Sequence, residues 1–364
     1  MCTSLLYRDA RDRFYLGRTL ELSIDLPYQV AVFPAGMDLS SEISGHPALT
    51  WKTRHLFVAV TMPAAPPSGA GFVSADLKVI EGLNDAGLTY SVQSYPLAAG
   101  PQAEIAADRA VLSVVDLGAW ILGQFATVAA AKAALAAQPV RLQPVPLLGG
   151  VEMPFHYAVH DVTGASLIIE FHRGVLHVYD NPVGVMTNGP QFPWHLTNLN
   201  NYTFLDNVDR SKSTFGAYQA VQPDMGIAKA GLPASDTSVD RFVRAAFYAQ
   251  YAEKQADPDQ AIRMVAHIMN NFDRPRGISI DHPDGHGEHL QIAGQAHPEI
   301  ASEFTCWTSL SDLTRRLFFV RDSDGMSYTR IDVKALAAVG DFRVRPLSGI
   351  VPAVSDATAA LHTH

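Results

Sequence analysis

Apolar positions recur along this chain with two different periods, and the places where the period changes divide it into blocks. Residues Phe14 to Gly36 and Leu56 to Met62 form short apolar segments, the second closed by the turn-forming PAAPPSGAG, so both are expected to be strands. Asp76 to Pro96 holds an Asn-Asp-Ala-Gly turn between two partly alternating stretches, which predicts a hairpin. The alanine-rich, proline-free run from Ala107 to Gln138 favours two consecutive helices, weakened at Gly118 and Gly123. From His156 to Pro182, three extended runs separated by DVTGA and HRG predict an antiparallel meander that Asn181-Pro182 stops.

Residues Thr197 to Met225 are polar and read as a long excursion that needs support from the body or from another subunit, which makes assembly its expected task. Helical spacing returns over Asp236 to Gln255, where Val239, Phe242, Val243, Ala246 and Phe247 share one face, and over Pro258 to Asn270, with Ile262, Val265 and Ile268. Short strands around Asp-Gly turns close the chain from Glu303 to Val333. Hairpins dominate, with no regular βαβ alternation. Two mainly antiparallel sheets stacked face to face, with helices outside, cover every apolar face in this order of elements. The expected fold class is therefore α+β, a four-layered αββα sandwich formed by residues 2–364 as a single domain.

Composition narrows the partners. The net charge of −9 and the lack of a long basic run argue against nucleic acid. Asp116, Gln124 and Lys132 interrupt the apolar stretch from Val111 to Ala136, so no membrane span is expected. The N-terminal MCTSLLYRDARDRF lacks the apolar core of a secretory signal, and two cysteines are too few for a disulfide framework; both features lead to a cytoplasmic expectation.

Cys2 follows the initiator methionine, and removal of Met1 leaves thiol and free amine on one residue. A thiol ionises near pH 8.5 and an α-amine near 7.7, so close to neutrality the amine accepts the thiol proton and the sulfur becomes the nucleophile. Tolerance of a cysteine at this position without any role is the plain alternative. Further motifs decide between them: GRTLE at Gly17 to Glu21, EGLNDAGL at Glu81 to Leu88, YDNPVGVMTNGPQFPWHLTNLNNY at Tyr179 to Tyr202, GLPASDTSVDRFVRAAF at Gly231 to Phe247 and EFTCWTSLSDL at Glu303 to Leu313. With MCTSL first, this ordered set resembles the choloylglycine hydrolase and penicillin V acylase family of N-terminal-nucleophile (Ntn) hydrolases. The likeness runs through most of the chain. It implies the αββα Ntn-hydrolase fold, cleavage of a linear acyl amide through a thioester, no cofactor and no metal, and often a homotetramer.

The resemblance also implies roles for particular positions. Arg18 matches the family's arginine beside the nucleophile. Glu21 stands where the family usually has an aspartate that receives the Cys2 amine, and its extra methylene has to be accommodated. Asn188 matches the asparagine that donates to the oxyanion, and Arg241 the active-site arginine, with Arg244 as its rival. The second oxyanion donor falls at Ser94, where relatives tend to carry asparagine or tyrosine; the backbone N–H survives that change, and Tyr95 is the adjacent candidate for the pocket wall. Asn84 reads as a turn residue. The implied activity is penicillin V acylase-like, with bile-salt hydrolase or acyl homoserine lactone acylase as alternatives. The small-molecule partner in each case is an acyl amide.

Two readings of another class remain. His282, His286, His289 and His297, with Asp281, Asp284 and Glu288, offer zinc ligands, although the segment is rich in glycine and turn residues and fits neither HExxH nor a close zinc-finger spacing. A non-catalytic scaffold is the other, with Glu21 as the one change that supports it. Cys306 lies between apolar residues and is expected to pack as a small hydrophobe.

Overall fold

In the computed structural model, which describes residues 1–67, 69, 71–282, 292–294 and 299–350, the chain opens with a hairpin of β1 (Cys2–Arg8) and β2 (Phe14–Leu22). Cys2 stands opposite Leu20 and Ser4 opposite Arg18. The remaining main elements are β3 (Gln29–Phe33), β4 (Phe57–Pro63), β5 (Leu77–Asn84), β6 (Thr89–Ser94), α1 (Leu117–Gln124), α2 (Val128–Leu135), β7 (Phe155–His160), β8 (Ser166–His172), β9 (Val175–Asp180), β10 (Val185–Met186), α3 (Phe192–Leu199), β11 (Lys212–Phe215), β12 (Tyr218–Val221), α4 (Ser238–Tyr251), α5 (Pro258–Met269), β13 (Phe304–Asp312), β14 (Leu317–Asp322), β15 (Thr329–Asp332) and β16 (Arg343–Pro346).

One sheet runs β10–β1–β2–β13–β14–β15 and the other β9–β8–β7–β6–β5–β4–β3–β16, both antiparallel throughout. Helices α4 and α5 lie on the first sheet, α1 and α2 on the second, so the layers are αββα as expected. Alternation along a strand sends successive side chains to opposite faces, and in the first sheet this separates two cores. Leu20 and Leu22 of β2 join the cluster shared with the second sheet, whereas Leu5, Tyr7 and Tyr15 pack with Phe242, Val265 and Met269 of the covering helices. Gly17 lets α5 come close: a Cβ there would sit 2.7 Å from Met269 Cγ.

The helical expectation for Ala107 to Gln138 holds in two short pieces and fails before residue 117. Leu112–Ser113 instead pairs with Val140–Arg141. Ser41 Oγ takes the Ser113 N–H at 2.8 Å, and Asp116 binds Ser41 Oγ and Lys78 Nζ, both at 2.7 Å. Those bonds to the body hold the segment as a short strand followed by a 3-10 turn at Val114–Asp116, against its local preference for a continuous helix. Among the described residues no helix is long and apolar enough to cross a membrane. Within the polar excursion at 197–225, β11 and β12 form a hairpin, and Phe215, Tyr218 and Met225 are largely exposed.

Candidate active site

The parity of β1 and β2 decides which groups meet. Cys2 and Arg18 are even-numbered and face the space between the sheets, while Glu21 is odd-numbered and faces the helix side. Arg18 is fully buried in mid-strand, not at a strand-end surface, and each part of its side chain has a neighbour: Nη2 lies 3.7 Å from Cys2 Sγ and donates to the Val92 carbonyl, Nε lies 3.6 Å from Glu81 Oε2, and the guanidinium carbon stands 4.3 Å from the centre of the Trp307 ring. The guanidinium is thereby held beside the sulfur in a fixed orientation. Burial pushes the Glu81 carboxyl up to about 7 against the pull of Arg18 and a weaker contact with Ser91. Glu81 was not singled out by the sequence reading. The available signal was a lone acid inside an apolar strand, which has to find a partner or lose its charge.

Asn188 joins the two faces. Its Oδ1 accepts from Cys2 N at 2.9 Å and from Arg241 Nη2 at 2.6 Å, and its Nδ2 donates to the Ser94 carbonyl at 2.8 Å. Arg241 arrives from α4, where Thr237 caps the helix, and its Nη1 donates to the Cys2 carbonyl and, at 2.7 Å, to Thr3 Oγ1. The rival Arg244 is turned to the loop before the helix, where it donates to the carbonyls of Pro233 and Ser235. Glu21 is fully buried on the same side: Thr305 Oγ1 donates to its Oε1 at 3.3 Å, Oε2 makes no direct hydrogen bond among the described residues, and burial raises its pKa despite Arg241 nearby.

The β6–β7 ladder places Ser94. Tyr95 N–H bonds to the Pro154 carbonyl across to the chain entering β7, and the register sets Ser94 opposite Phe155, so Ser94's main chain is turned the other way, towards Asn188. Tyr95 itself is not a pocket wall. It is buried, stacked on His156 with ring centres 5.0 Å apart, and hydrogen-bonded through its hydroxyl to His172 Nδ1 at 2.7 Å. Asn84 holds its turn as expected, with Oδ1 accepting from the N–H groups of Ala86 and Leu88.

A second layer behind Asn188 escaped the sequence reading. His195 of α3 lies with Nε2 2.8 Å from the Asn188 carbonyl and stacks on Phe242; burial depresses its pKa to about 4, so near neutrality the ring is uncharged and that contact fixes Nε2 as the donor. His156 Nε2 contacts the Thr187 carbonyl at 3.1 Å, and Ser238 Oγ accepts the Asn188 N–H at 2.9 Å. These residues surround the turn Asn188–Gly189–Pro190, whose Gly189-Pro190 bond is cis.

While Met1 is attached, Cys2 N is a peptide amide; its removal turns that nitrogen into an amine. A small apolar cavity of about 30 Å³ is walled by Leu22, Leu26, Tyr28, Met153, Phe155 and Val92, whose carbonyl Arg18 binds. Leu26 and Tyr28 separate it from an open depression of about 610 Å³ that also touches Pro66, Leu147 and Cys306. Cys306 is buried and its thiol is pushed up to about 12, which keeps it protonated and unreactive near neutrality. Among the described residues no group of three or more His, Cys, Asp or Glu side chains is gathered for a metal. His286, His289, His297, Asp284 and Glu288 lie outside the described residues.

A family model described as linear amide C–N hydrolases, choloylglycine hydrolase family, matches residues 2–337. The bile salt hydrolase/transferase of Lactiplantibacillus plantarum is 25% identical over 340 residues, 92% of either chain. The penicillin V acylase of Pectobacterium atrosepticum is 27% identical over 356 residues, 92% of this chain and 81% of that one. Among solved structures, a conjugated bile acid hydrolase from Clostridium perfringens superposes with a TM-score of 0.78 at 20% identity, covering 98% of this chain and 99% of the other.

Proposed function

The chain belongs to the choloylglycine hydrolase family of linear amide C–N hydrolases, and from that premise we propose that it releases the amine from conjugated bile acids or from amides of an equally bulky apolar acyl group. What supports this choice is the open depression of about 610 Å³, which shares the walls Leu26 and Tyr28 with the small apolar cavity, together with the likeness to a bile salt hydrolase/transferase over 92% of either chain. That volume lies in the usual range of ligand sites. The weight moves accordingly from penicillin V, the substrate class expected from the motifs, to bile salts. Penicillin V is the second reading, favoured by the small size of the inner cavity, about 30 Å³, where a flat aromatic acyl group would displace fewer side chains than a steroid.

In the proposed reaction Cys2 Sγ attacks the amide carbon and the Cys2 amine takes the thiol proton. The amine then passes that proton to the leaving nitrogen as the C–N bond breaks, and the acyl group stays on sulfur as a thioester. Water attacks the thioester, gives a proton to the same amine and frees the acid; the amine returns the proton to sulfur. The second Nδ2 hydrogen of Asn188 and the backbone N–H of Ser94 hold the oxyanion. Arg18 steadies the thiolate, Arg241 fixes Asn188 and the Cys2 carbonyl, and Glu21 receives the new ammonium when the amine carries a proton. The exposed Phe215 and Tyr218 on the β11–β12 hairpin serve assembly into a homotetramer, consistent with the polar excursion around them.

The test is amine release by the untagged, Met1-processed protein from glycocholate, penicillin V and a long-chain acyl homoserine lactone. Preferential release from glycocholate, lost in Cys2→Ala, is the expected result. No release from any of the three, with a free Cys2 amine verified by mass, would remove the amidase reading for these substrates.

A further inference from the structure

The peptide that joins Thr187 to Asn188 is pinned at both ends. Its N–H goes to Ser238 Oγ at 2.9 Å, and its carbonyl faces His156 Nε2 at 3.1 Å. On the other side of the imidazole, Nδ1 lies 3.3 Å from Glu170 Oε2, and the same carboxyl oxygen accepts the N–H of Phe192 at 3.1 Å. His156 on β7 and Glu170 on β8 are both fully buried. Together they hold the chain just before Asn188 and again at the first residue of α3, with Asn188 between the two points. The face of the ring has its own neighbour: Tyr95 lies parallel to it, with 4° between the planes and 5.0 Å between ring centres. Tyr95 follows Ser94 directly and is anchored by its N–H to the Pro154 carbonyl at 2.6 Å and through its hydroxyl to His172 Nδ1 at 2.7 Å. One imidazole thus touches a chain neighbour of each of the two proposed oxyanion donors.

The bonding partners fix the protons. A carbonyl only accepts, so His156 Nε2 has to carry a hydrogen; an amide N–H only donates, so Glu170 Oε2 has to keep a lone pair for Phe192. Glu170 Oε1 makes no direct hydrogen bond among the described residues, so the carboxyl is tied through Oε2 alone. One further proton between Nδ1 and Oε2 completes the set. Held on Nδ1, it gives an imidazolium beside a carboxylate; held on Oε2, it gives a neutral acid donating to a neutral ring. Both arrangements satisfy all three contacts and leave the buried pair without net charge, where an unpaired charge is costly. An amide at position 170 cannot do the same. With its oxygen against Nδ1 and Phe192, a neutral ring has to place its only proton on Nδ1, which turns the Nε2 lone pair towards the Thr187 carbonyl, while a charged ring lacks a counter-charge. With its NH2 there, two donors meet at Phe192. Glu170→Gln, equal in size and shape, therefore breaks the set.

We propose that His156 and Glu170 act as one positioning pair, which sets both oxyanion donors through Thr187 and Tyr95 without touching the substrate. This rests on the amidase reading above and adds to it the residues that hold its oxyanion site. The test compares processed wild type, Glu170→Gln, His156→Phe and the double variant, with kcat and KM measured on the best amide of the panel and alkylation of Cys2 by iodoacetamide on the same samples. Alkylation displaces iodide and forms no oxyanion, so it reports the thiol alone. In E170Q, kcat should fall about 10-fold or more through misplacement of the donors, with KM and the alkylation rate within about 2-fold of wild type. H156F keeps a ring against Tyr95, removes both polar contacts and should show the same split. The double variant should lose no more than the worse single one, as residues acting as a unit do. A kcat of E170Q within about 2-fold of wild type overturns the proposal, as does an equal fall in kcat and alkylation, or losses that multiply in the double variant. Should either single variant fail to fold, the other is judged by the same kcat, KM and alkylation criteria. An active wild type with an unaffected E170Q sinks this inference alone, whereas a wild type that cleaves no acyl amide sinks both.

Discussion

Asn188 and Cys2 are one hydrogen bond apart, yet their surroundings are built in opposite ways. Around Asn188 the polar groups are matched: the N–H goes to Ser238, the carbonyl to His195, Oδ1 to Cys2 N and Arg241, and Nδ2 to Ser94. Around the Cys2 thiol they are not. Arg18 Nε and Nη1 and both Glu81 oxygens make no direct hydrogen bond among the described residues. A fully matched network holds one geometry, as a donor to a developing charge requires. Buried charges that are close but poorly bonded leave protonation sensitive to each neighbour, which is how the reactivity of a thiol is set.

The largest effect should come from breaking the matched side at its centre. Asn188→Ala removes the oxyanion donor together with the ties to Cys2 N and Arg241, so kcat is expected to fall about 100- to 1,000-fold with a much smaller change in KM. Steady-state kinetics on the best amide of the panel checks this, and a fall of less than about 10-fold would show that the donor lies elsewhere. One step back, His195→Ala leaves the Asn188 carbonyl without its partner, and kcat should drop about 10-fold through misplacement of the donor. His195→Gln restores an N–H and should recover most of the rate; equal loss in both variants would point to packing against Phe242 instead.

The unmatched side should respond in its pH profile more than in its maximal rate. Glu81 as an anion offsets Arg18 and so opposes the Cys2 thiolate. Because burial places its ionisation at about 7, Glu81→Gln should leave alkylation of Cys2 by iodoacetamide unchanged well below pH 7 and accelerate it above, where the wild-type carboxylate forms. A profile that coincides with wild type above neutrality would mean that Glu81 does not reach the thiol.

The smallest expected effect is on stability. His160 and His195 have folded-state pKa values depressed to about 4 by burial, below the ordinary 6.5. The unfolded chain takes up those protons first, so their contribution is present above about pH 6.5 and is lost as pH falls towards 4. Glu81 works the other way: its raised pKa gives a contribution present below about 4.5 and lost as pH rises through 7. Thermal melting of His160→Gln, at a site away from the nucleophile, should show a Tm decline between pH 6.5 and 4 flatter than wild type by about 1 °C or more, since 1 kcal/mol is worth about 1 °C in a chain of this size. Parallel curves would remove His160 from the balance.

The sequence carried the layers because alternation and helical spacing are local properties of the chain. It placed β2, β4, the β5–β6 hairpin, the β7–β9 meander and both long helices. It did not mark β1 as a strand or foresee that Leu112–Ser113 would form a short strand and Val114–Asp116 a 3-10 turn tied to Ser41 and Lys78, since those bonds join residues far apart in the chain. It also named Arg18, Asn188 and Arg241, the three side chains that bond to Cys2 here, because motif order is written in the chain.

Which face each group occupies was decided by tertiary structure. Arg18 and Glu21 stand three residues apart on one strand and reach opposite sides of the sheet, so one meets the thiol from between the layers and the other meets Thr305 on the helix side. Glu81 next to Arg18 and His195 behind Asn188 are likewise products of packing. A sequence specifies residue types and local periods, whereas distance, burial and the resulting charge balance exist only once the sheets and helices have closed on one another.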